Sequence, residues 1–172
     1  MVIIMSNMDY KIANELILKQ EEMLQFEHFN NQDAWELGKL IVDEIHKSNI
    51  ELAVCIRKLN GNIIFQYMTE KTNLNNQNWM NRKFNTVSLM ERSSLGATVV
   101  SKIAKEEVVT HGLSDSEYVF CGGGFPIKIK KSGIVAVITV SNLPHVKDHD
   151  FIVKCLSKYL MVTGVPRVDL DI

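Results

Sequence analysis

The residues of this chain that could do chemistry gather around three consecutive glycines. Gly122, Gly123 and Gly124 precede Phe125 and Pro126. Glycine-rich loops bind phosphate where backbone N–H groups and a helix N-terminus converge on the anion. Here the glycines lead into an apolar, strand-like run and no Gly-Lys-Ser/Thr follows, so the pattern does not favour a nucleotide site. Two interpretations stay open: the glycines permit positive φ or a close approach of a neighbouring chain or ligand, or they form a pocket for a ligand other than a nucleotide.

A second group of candidate binding residues lies on a predicted helix. Trp79, Arg82 and Lys83 are spaced i, i+3 and i+4, which places them on adjoining helical faces. Arginine and lysine together suit a carboxylate or a phosphate, and the Trp79 ring could stack on a planar ligand. The alternative is a core tryptophan beside two solvated charges.

Histidines and cysteines provide no metal framework by their spacing. The histidines are His28, His46, His111, His145 and His149, and the cysteines are Cys55, Cys121 and Cys155. Neither H-E-x-x-H nor C-x-x-C occurs, so no metal site is predicted. An axial haem ligand needs only one histidine, and His149 in the first turn of the last predicted helix is the best placed. The alternative for His149 is a capping or interface hydrogen bond.

Composition limits the partners that this chain is expected to have. Its 172 residues fit one domain, expected over 1–172 with a core at about 9–162. The formal net charge of -1 argues against a nucleic-acid partner, because such proteins carry a basic face. No run approaches the ~18 apolar residues of a membrane helix, and the apolar start at residues 1–5 is too short for a secretory signal. With its unpaired cysteine pattern, the chain is expected to be soluble and cytoplasmic.

Apolar periodicity predicts five helices. They are expected at residues 9–25, from Asp33 to about residue 48, from the polar run after Thr69 through Met90, from Ser94 to about Lys105, and from Asp148 through Leu160. Asp33 with Glu36 three residues later has the spacing of a capping box. Ser93 or Ser94 is expected to cap the fourth helix, and Asp148 the fifth.

Two hairpins are predicted between these helices. Glu51–Arg57 alternates in strand fashion and is followed by Asn60-Gly61, a dipeptide that is typical of tight hairpin turns because both positions favour positive φ. The second hairpin joins Phe125–Lys131 to Ile134–Ser141, and the latter is apolar on both faces, which favours a central strand. Strands that come as hairpins indicate an antiparallel sheet packed with helices, the α+β class.

With these residues in view, the chain resembles the haem-degrading domain family (GlcG/HbpS-like), and within it the uncharacterised cytosolic branch. The resemblance covers roughly residues 9–160. It rests on Asn76, Asn78, Trp79, Arg82 and Lys83, on Ser93-Ser94, on Gly124-Phe125-Pro126-Ile127, and on Ser141, Leu143, Pro144 and His149. The branch usually has Ser-Gly-Leu-Pro where this chain has Ser141-Asn142-Leu143-Pro144, and asparagine tolerates positive φ better than other non-glycine residues.

The resemblance implies a PAS- or profilin-like α+β domain with about five strands, assembled into a homo-oligomer, and some relatives bind haem or are credited with its degradation. We therefore expect a small ligand, haem-like or another anionic planar molecule, to bind near the glycine loop. The candidate binding residues are Trp79, Arg82, Lys83, Gly123, Gly124, Phe125, Pro126, Ser141 and His149. The rival hypothesis is a structural or interaction oligomer that binds no ligand. No catalytic residue is assigned, because no acid–base pair is visible, and haem degradation follows from the resemblance only.

Overall fold

The computed structural model describes residues 7–170, which form an open antiparallel sheet with helices packed around it. The elements are α1 (Asn7–Met23), α2 (Asn31–Ser48), β1 (Ala53–Lys58), β2 (Ile63–Met68), α3 (Leu74–Met90), α4 (Ser94–Ala104), β3 (Gly124–Ile129), β4 (Gly133–Ser141) and α5 (His145–Tyr159), with a 3-10 turn at Val108–His111 between α4 and β3. The predicted α+β class and the predicted order of helices and hairpins are confirmed. Residues 1–5, which bear on the signal-sequence prediction, lie outside the described residues.

The four strands are arranged in the order β2-β1-β4-β3, and every neighbouring pair is antiparallel. β4 is central, as its apolar character on both faces predicts. The expected count of about five strands is corrected to four within residues 7–170. A single parallel bridge between Phe26 and Ile129 extends the β3 edge.

Alternating side chains divide the sheet into two buried faces. Val54, Ile56 and Ile138 pack with α2 and α5 in the largest apolar cluster. The opposite face carries Cys55 and Val137, which pack against α3. A further cluster joins α1 to α4. The middle of α3, which carries Trp79, Arg82 and Lys83, therefore packs on one face of the sheet at β4. The start of α5, which carries His149, packs on the opposite face.

The first hairpin is confirmed, but its turn differs from the one predicted. Only Gly61 has a positive φ, at 92°. Gly61 N–H donates to the Lys58 carbonyl, and Lys58 N–H donates to that of Asn62, both at 2.9 Å. This is a three-residue loop that ends in a left-handed glycine, the next most common hairpin after the two-residue turn.

Two of the predicted helix caps are wrong, by three residues in α2 and by four in α5. α2 is capped by Asn30, and Asp33 is the third helical residue whose carboxylate accepts from the Asn30 N–H at 2.7 Å. α5 begins at His145, directly after Pro144, so Asp148 lies within its first turn. The Ser93 cap of α4 is confirmed, since its hydroxyl oxygen accepts from the Gly96 N–H at 3.1 Å.

Within residues 7–170, no helix combines the length and apolarity needed to cross a membrane.

Candidate functional site

A cavity of about 310 Å³ opens where α3, the end of β4 and the start of α5 meet. Its lining comprises Asn75, Asn76, Trp79, Lys83, Cys121, Ser141, Asn142, Leu143, His145 and Asp148. Three of the predicted binding residues, Trp79, Lys83 and Ser141, are thus brought together from positions far apart in the sequence. This cavity is called the α3–α5 cavity below.

A buried ion pair forms the inner wall of the α3–α5 cavity. Lys83 Nζ lies 2.8 Å from Asp148 Oδ2, and each side chain is only 2% exposed. Lys83 Nζ also donates to the Val140 carbonyl at 2.8 Å. Removing two charges from water costs free energy that a buried pair does not always recover. The ion pair therefore carries a desolvation cost, and its position in the wall of a cavity makes it a candidate functional element.

The Asp148 carboxylate is held on its other side by backbone N–H groups. Leu143 N–H donates to Asp148 Oδ1 at 3.1 Å. Burial raises the pKa of Asp148 to about 6, although Lys83 and the backbone hydrogen bonds act to lower it. The carboxyl group is consequently ionised at neutral pH and takes up a proton in mildly acidic solution.

The glycine loop lies behind this ion pair. Gly123 has a φ of 108°, and a Cβ added to it would lie 2.6 Å from Lys83 Nζ and 2.8 Å from Asp148 Cβ. The interpretation of positive φ with a close approach is therefore correct for Gly123, and the group approached is an ion pair of the same chain. Gly122 N–H donates to His145 Nδ1 at 3.1 Å, which ties the loop to the start of α5.

The next two positions of the loop belong to the sheet and not to the cavity lining. Gly124 N–H donates to the Ser94 hydroxyl oxygen at 2.8 Å. Phe125 and Pro126 are buried within β3. Among the predicted residues Gly123 to Pro126, Gly123 is therefore the one that approaches the side chains of the ion pair.

Amide and hydroxyl groups form the outer side of the α3–α5 cavity. Asn76 Nδ2 donates to Ser141 Oγ and to Asn142 Oδ1, each at 3.3 Å. Asn142 has a φ of 142°, a conformation that favours glycine. Its side-chain Nδ2 donates to the Glu51 carbonyl at 3.0 Å. These hydrogen bonds hold Asn142 in this conformation.

Arg82 faces a different cavity from its neighbour Lys83. Its guanidinium lies 4.6 Å from the centroid of the Trp79 ring. It lines a second cavity of about 300 Å³, together with Lys102, Tyr118 and Phe120. Trp79 therefore lies between the two cavities. Its ring lines the α3–α5 cavity, and the Arg82 guanidinium stacked on that ring lines the second cavity.

The structure places His149 in the protein interior, outside the lining of the α3–α5 cavity. His149 Nε2 lies 2.8 Å from Gln20 Oε1, and the imidazole packs against Phe125 with ring centroids 5.7 Å apart. Gln20 Nε2 donates to the Pro166 carbonyl, so its oxygen faces His149 and Nε2 of the imidazole carries the proton. Burial lowers the pKa of His149 to about 3, which keeps the ring neutral.

Seven lining residues of the α3–α5 cavity were absent from the predicted binding set: Asn75, Asn76, Cys121, Asn142, Leu143, His145 and Asp148. Asn76 and Asp148 stood out in the sequence only as a motif residue and a cap, and no local signal shows that Asp148 meets Lys83 65 positions earlier. No group of three or more histidine, cysteine or acidic residues suited to a metal ion is found in the described part of the chain.

The fold and the cavity together define an α+β domain with an open four-stranded antiparallel sheet and a polar site at one end of its central strand. Residues 29–157 match the family described as "Haem degrading protein HbpS-like". The chain belongs to this HbpS-like family, as the sequence resemblance indicated.

Individual relatives agree with this assignment. The UPF0303 protein YE1367 of Yersinia enterocolitica is 32% identical over 155 residues, which are 90% of each chain. The crystal structure of the Ybr137w protein superposes with a TM-score of 0.79 at 26% identity, over 87% of this chain and 88% of that one. The crystal structure of a PduOC–haem complex superposes with a TM-score of 0.63 at 14% identity, over 82% and 99%, which shows a shared fold.

Proposed function

We propose that this protein binds a small planar ligand in the α3–α5 cavity, with haem and other anionic planar molecules as the first candidates. The observation that carries the proposal is the convergence of Trp79, Lys83 and Ser141 on one cavity whose inner wall is a buried ion pair. Ligand sites typically combine an aromatic surface with a few placed polar groups. A haem-bound relative of the same fold supports the choice of haem as the first probe.

One donor group of the α3–α5 cavity suits the iron of a haem. His145 lines the cavity, and imidazole is an established axial ligand. Cys121 also lines the cavity, but burial raises the pKa of its thiol and disfavours the thiolate form. Bound iron would supply redox and oxygen chemistry, while the protein's residues would orient the macrocycle. His149 is not proposed as the axial ligand, because it is 1% exposed and hydrogen-bonded to Gln20.

A haem titration followed at the Soret band tests this proposal. We expect a saturable Soret shift that Trp79→Ala weakens and His145→Ala alters in position or intensity. Trp35→Ala is the matched control, since Trp35 is 58% exposed on α2 and stacks edge-on against Phe65, outside the cavity. Native mass spectrometry of the purified protein would show any ligand that it retains. Absence of both a Soret shift and a retained ligand would rule the proposal out.

An assembly role has support of its own in the exposed edge of the sheet. β2 is an edge strand on which Ile63 is 45% exposed, and Phe65 of the same strand contacts the exposed Trp35. Exposed strand edges with apolar side chains are common sites of chain association. We propose that copies of this chain associate into a homo-oligomer through this edge. Light scattering of Ile63→Lys against the exposed control Leu74→Lys tests it: only the β2 variant should lower the mass.

A further inference from the structure

The inner end of the α3–α5 cavity offers two unmatched hydrogen-bond donors. The Lys83 ammonium has three N–H groups, and within residues 7–170 it donates to two acceptors, Asp148 and the Val140 carbonyl. The Ser141 hydroxyl accepts from Asn76, and no acceptor for its own proton is found in the described part of the chain. Both side chains are buried and both line the cavity. Two such donors at one end of a cavity suit an acceptor oxygen on a ligand.

The same end of the cavity also offers an acceptor. A carboxylate has about four lone-pair sites. The Asp148 carboxylate uses three of them, for Lys83 and for the backbone N–H groups of Leu143 and Asn142. One site remains for a donor on the ligand, beside the donors that would bind its oxygen.

The charges of the cavity lining disfavour a ligand carboxylate at the inner end. Besides His145 and Cys121, whose thiol pKa is raised by burial, the titratable groups of the lining are Lys83 and Asp148, and their charges cancel. A ligand carboxylate on Lys83 would share that ammonium with Asp148, and two like charges in one buried site disfavour ionisation of both. An uncharged carbonyl meets the donors without this cost. Any anionic group of the ligand is then expected toward the mouth of the cavity.

We infer that the inner end of the α3–α5 cavity binds a carbonyl and its adjacent N–H, the lactam edge of a planar ring that lies against Trp79. This inference rests on the proposed function and names the chemical class of ligand for that site. The cavity volume of about 310 Å³ is at the small end of the roughly 300–1,000 Å³ range of ligand sites. One ring or two fused rings fit within this volume, and a larger planar ligand such as haem would extend beyond the mouth of the cavity.

Three probes with one bicyclic skeleton separate the requirements of the site. 2-Quinolone carries the carbonyl and the N–H, N-methyl-2-quinolone lacks the N–H, and quinoline-2-carboxylate replaces the lactam by an anion. Dissociation constants from ligand-observed NMR at pH 7.5 should favour 2-quinolone. N-methylation should weaken binding by about 10-fold or more, because hydrogen bonds to charged groups are among the stronger ones.

Two variants test the protein side of the same contact. Ser141→Ala should weaken 2-quinolone by about 2- to 10-fold, which is the range for one neutral hydrogen bond. Ser132→Ala in the exposed β3–β4 turn is the matched control and should not change the affinity. The comparison of 2-quinolone with its N-methyl derivative uses the unaltered protein, so it stays decisive if Ser141→Ala does not fold.

The outcomes distinguish this inference from the proposed function. If 2-quinolone does not bind, or if either other probe binds as tightly, the lactam inference is overturned. A Trp79-dependent haem signal in that case would leave the proposed function standing. If haem and all three probes fail to bind and native mass spectrometry shows no retained ligand, both are overturned.

Discussion

Replacing Gly123 with alanine should destabilise this protein far more than the same replacement at Gly133. The two glycines have nearly the same φ, at 108° and 101°. Their surroundings differ, because a Cβ on Gly133 would have no atom within 4 Å. A Cβ on Gly123 would lie within 3.0 Å of Lys83 Nζ, Asp148 Cβ and the Val140 carbonyl oxygen. The pair of variants therefore separates backbone strain from the clash with the buried ion pair.

The expected loss in free energy of unfolding has two contributions, backbone strain and the clash with the ion pair. Holding a non-glycine residue at such a φ costs about 1–3 kcal/mol, and this cost applies to both variants. Forcing an extra methyl group into a packed site typically adds about 1–3 kcal/mol. Gly123→Ala is therefore expected to lose about 2–6 kcal/mol in its free energy of unfolding, and Gly133→Ala only the first part. Lys83 cannot retreat cheaply, since it would leave Asp148 as an unpaired buried charge.

Urea unfolding at pH 7.5, followed by circular dichroism, measures both values. Gly123→Ala should unfold at a lower urea midpoint with an unchanged dependence on denaturant, because the surface exposed on unfolding stays the same. Equal losses in the two variants would refute this expectation. Such a result would mean that the glycine loop is not packed against the ion pair that forms the inner wall of the cavity.

Two further changes have expected outcomes. Asn142→Ala should cost about 1–3 kcal/mol, because it loses the hydrogen bonds to Glu51 and Asn76, while the strain of φ 142° is unchanged. Asn142→Gly loses the same bonds but relieves the strain, so it should be the more stable variant, and equal melting temperatures for the two variants would contradict this account. His149 has its pKa lowered to about 3 by burial, so between pH 6.5 and 3 the unfolded state binds more protons and the His149 contribution to stability is lost as pH falls. His149→Gln, which keeps a donor for Gln20 Oε1, should be less stable than the unaltered protein at pH 7.5. The difference between their free energies of unfolding should shrink by about 1.4 kcal/mol per pH unit below 6.5. If urea unfolding shows the same difference in free energy between the two proteins from pH 7.5 to pH 5, His149 is not a neutral buried residue.

The sequence alone was enough to predict the secondary-structure elements and their order. Ile41 and Ile45 repeat at helical spacing and are fully buried, and the alternation of Val54 and Ile56 with Cys55 and Arg57 marks a strand. These patterns are local consequences of the helical and strand periods, and they need no knowledge of what packs against them. Class α+β, the two hairpins and the central position of β4 all follow from them.

Helix starts were less predictable, because several residues near each start could act as the cap. Asp33 and Asp148 are of the right type, but they are the third residue of α2 and the fourth residue of α5. In α2 the more upstream Asn30 provides the cap. In α5 the carboxylate of Asp148 binds Lys83 and Leu143 N–H. Which polar group caps a helix depends on what else competes for that group.

Only the tertiary structure decided which candidate residues share a site. Lys83 and Asp148 are 65 positions apart, and their contact depends on α3 and α5 packing on the same end of the sheet. Adjacent residues also separate: Lys83 lines the α3–α5 cavity while Arg82 lines another, and Asp148 lines it while His149 turns to Gln20. The physical reason is that successive helical side chains are about 100° apart, so residue type and spacing predict a helical face but not what that face meets.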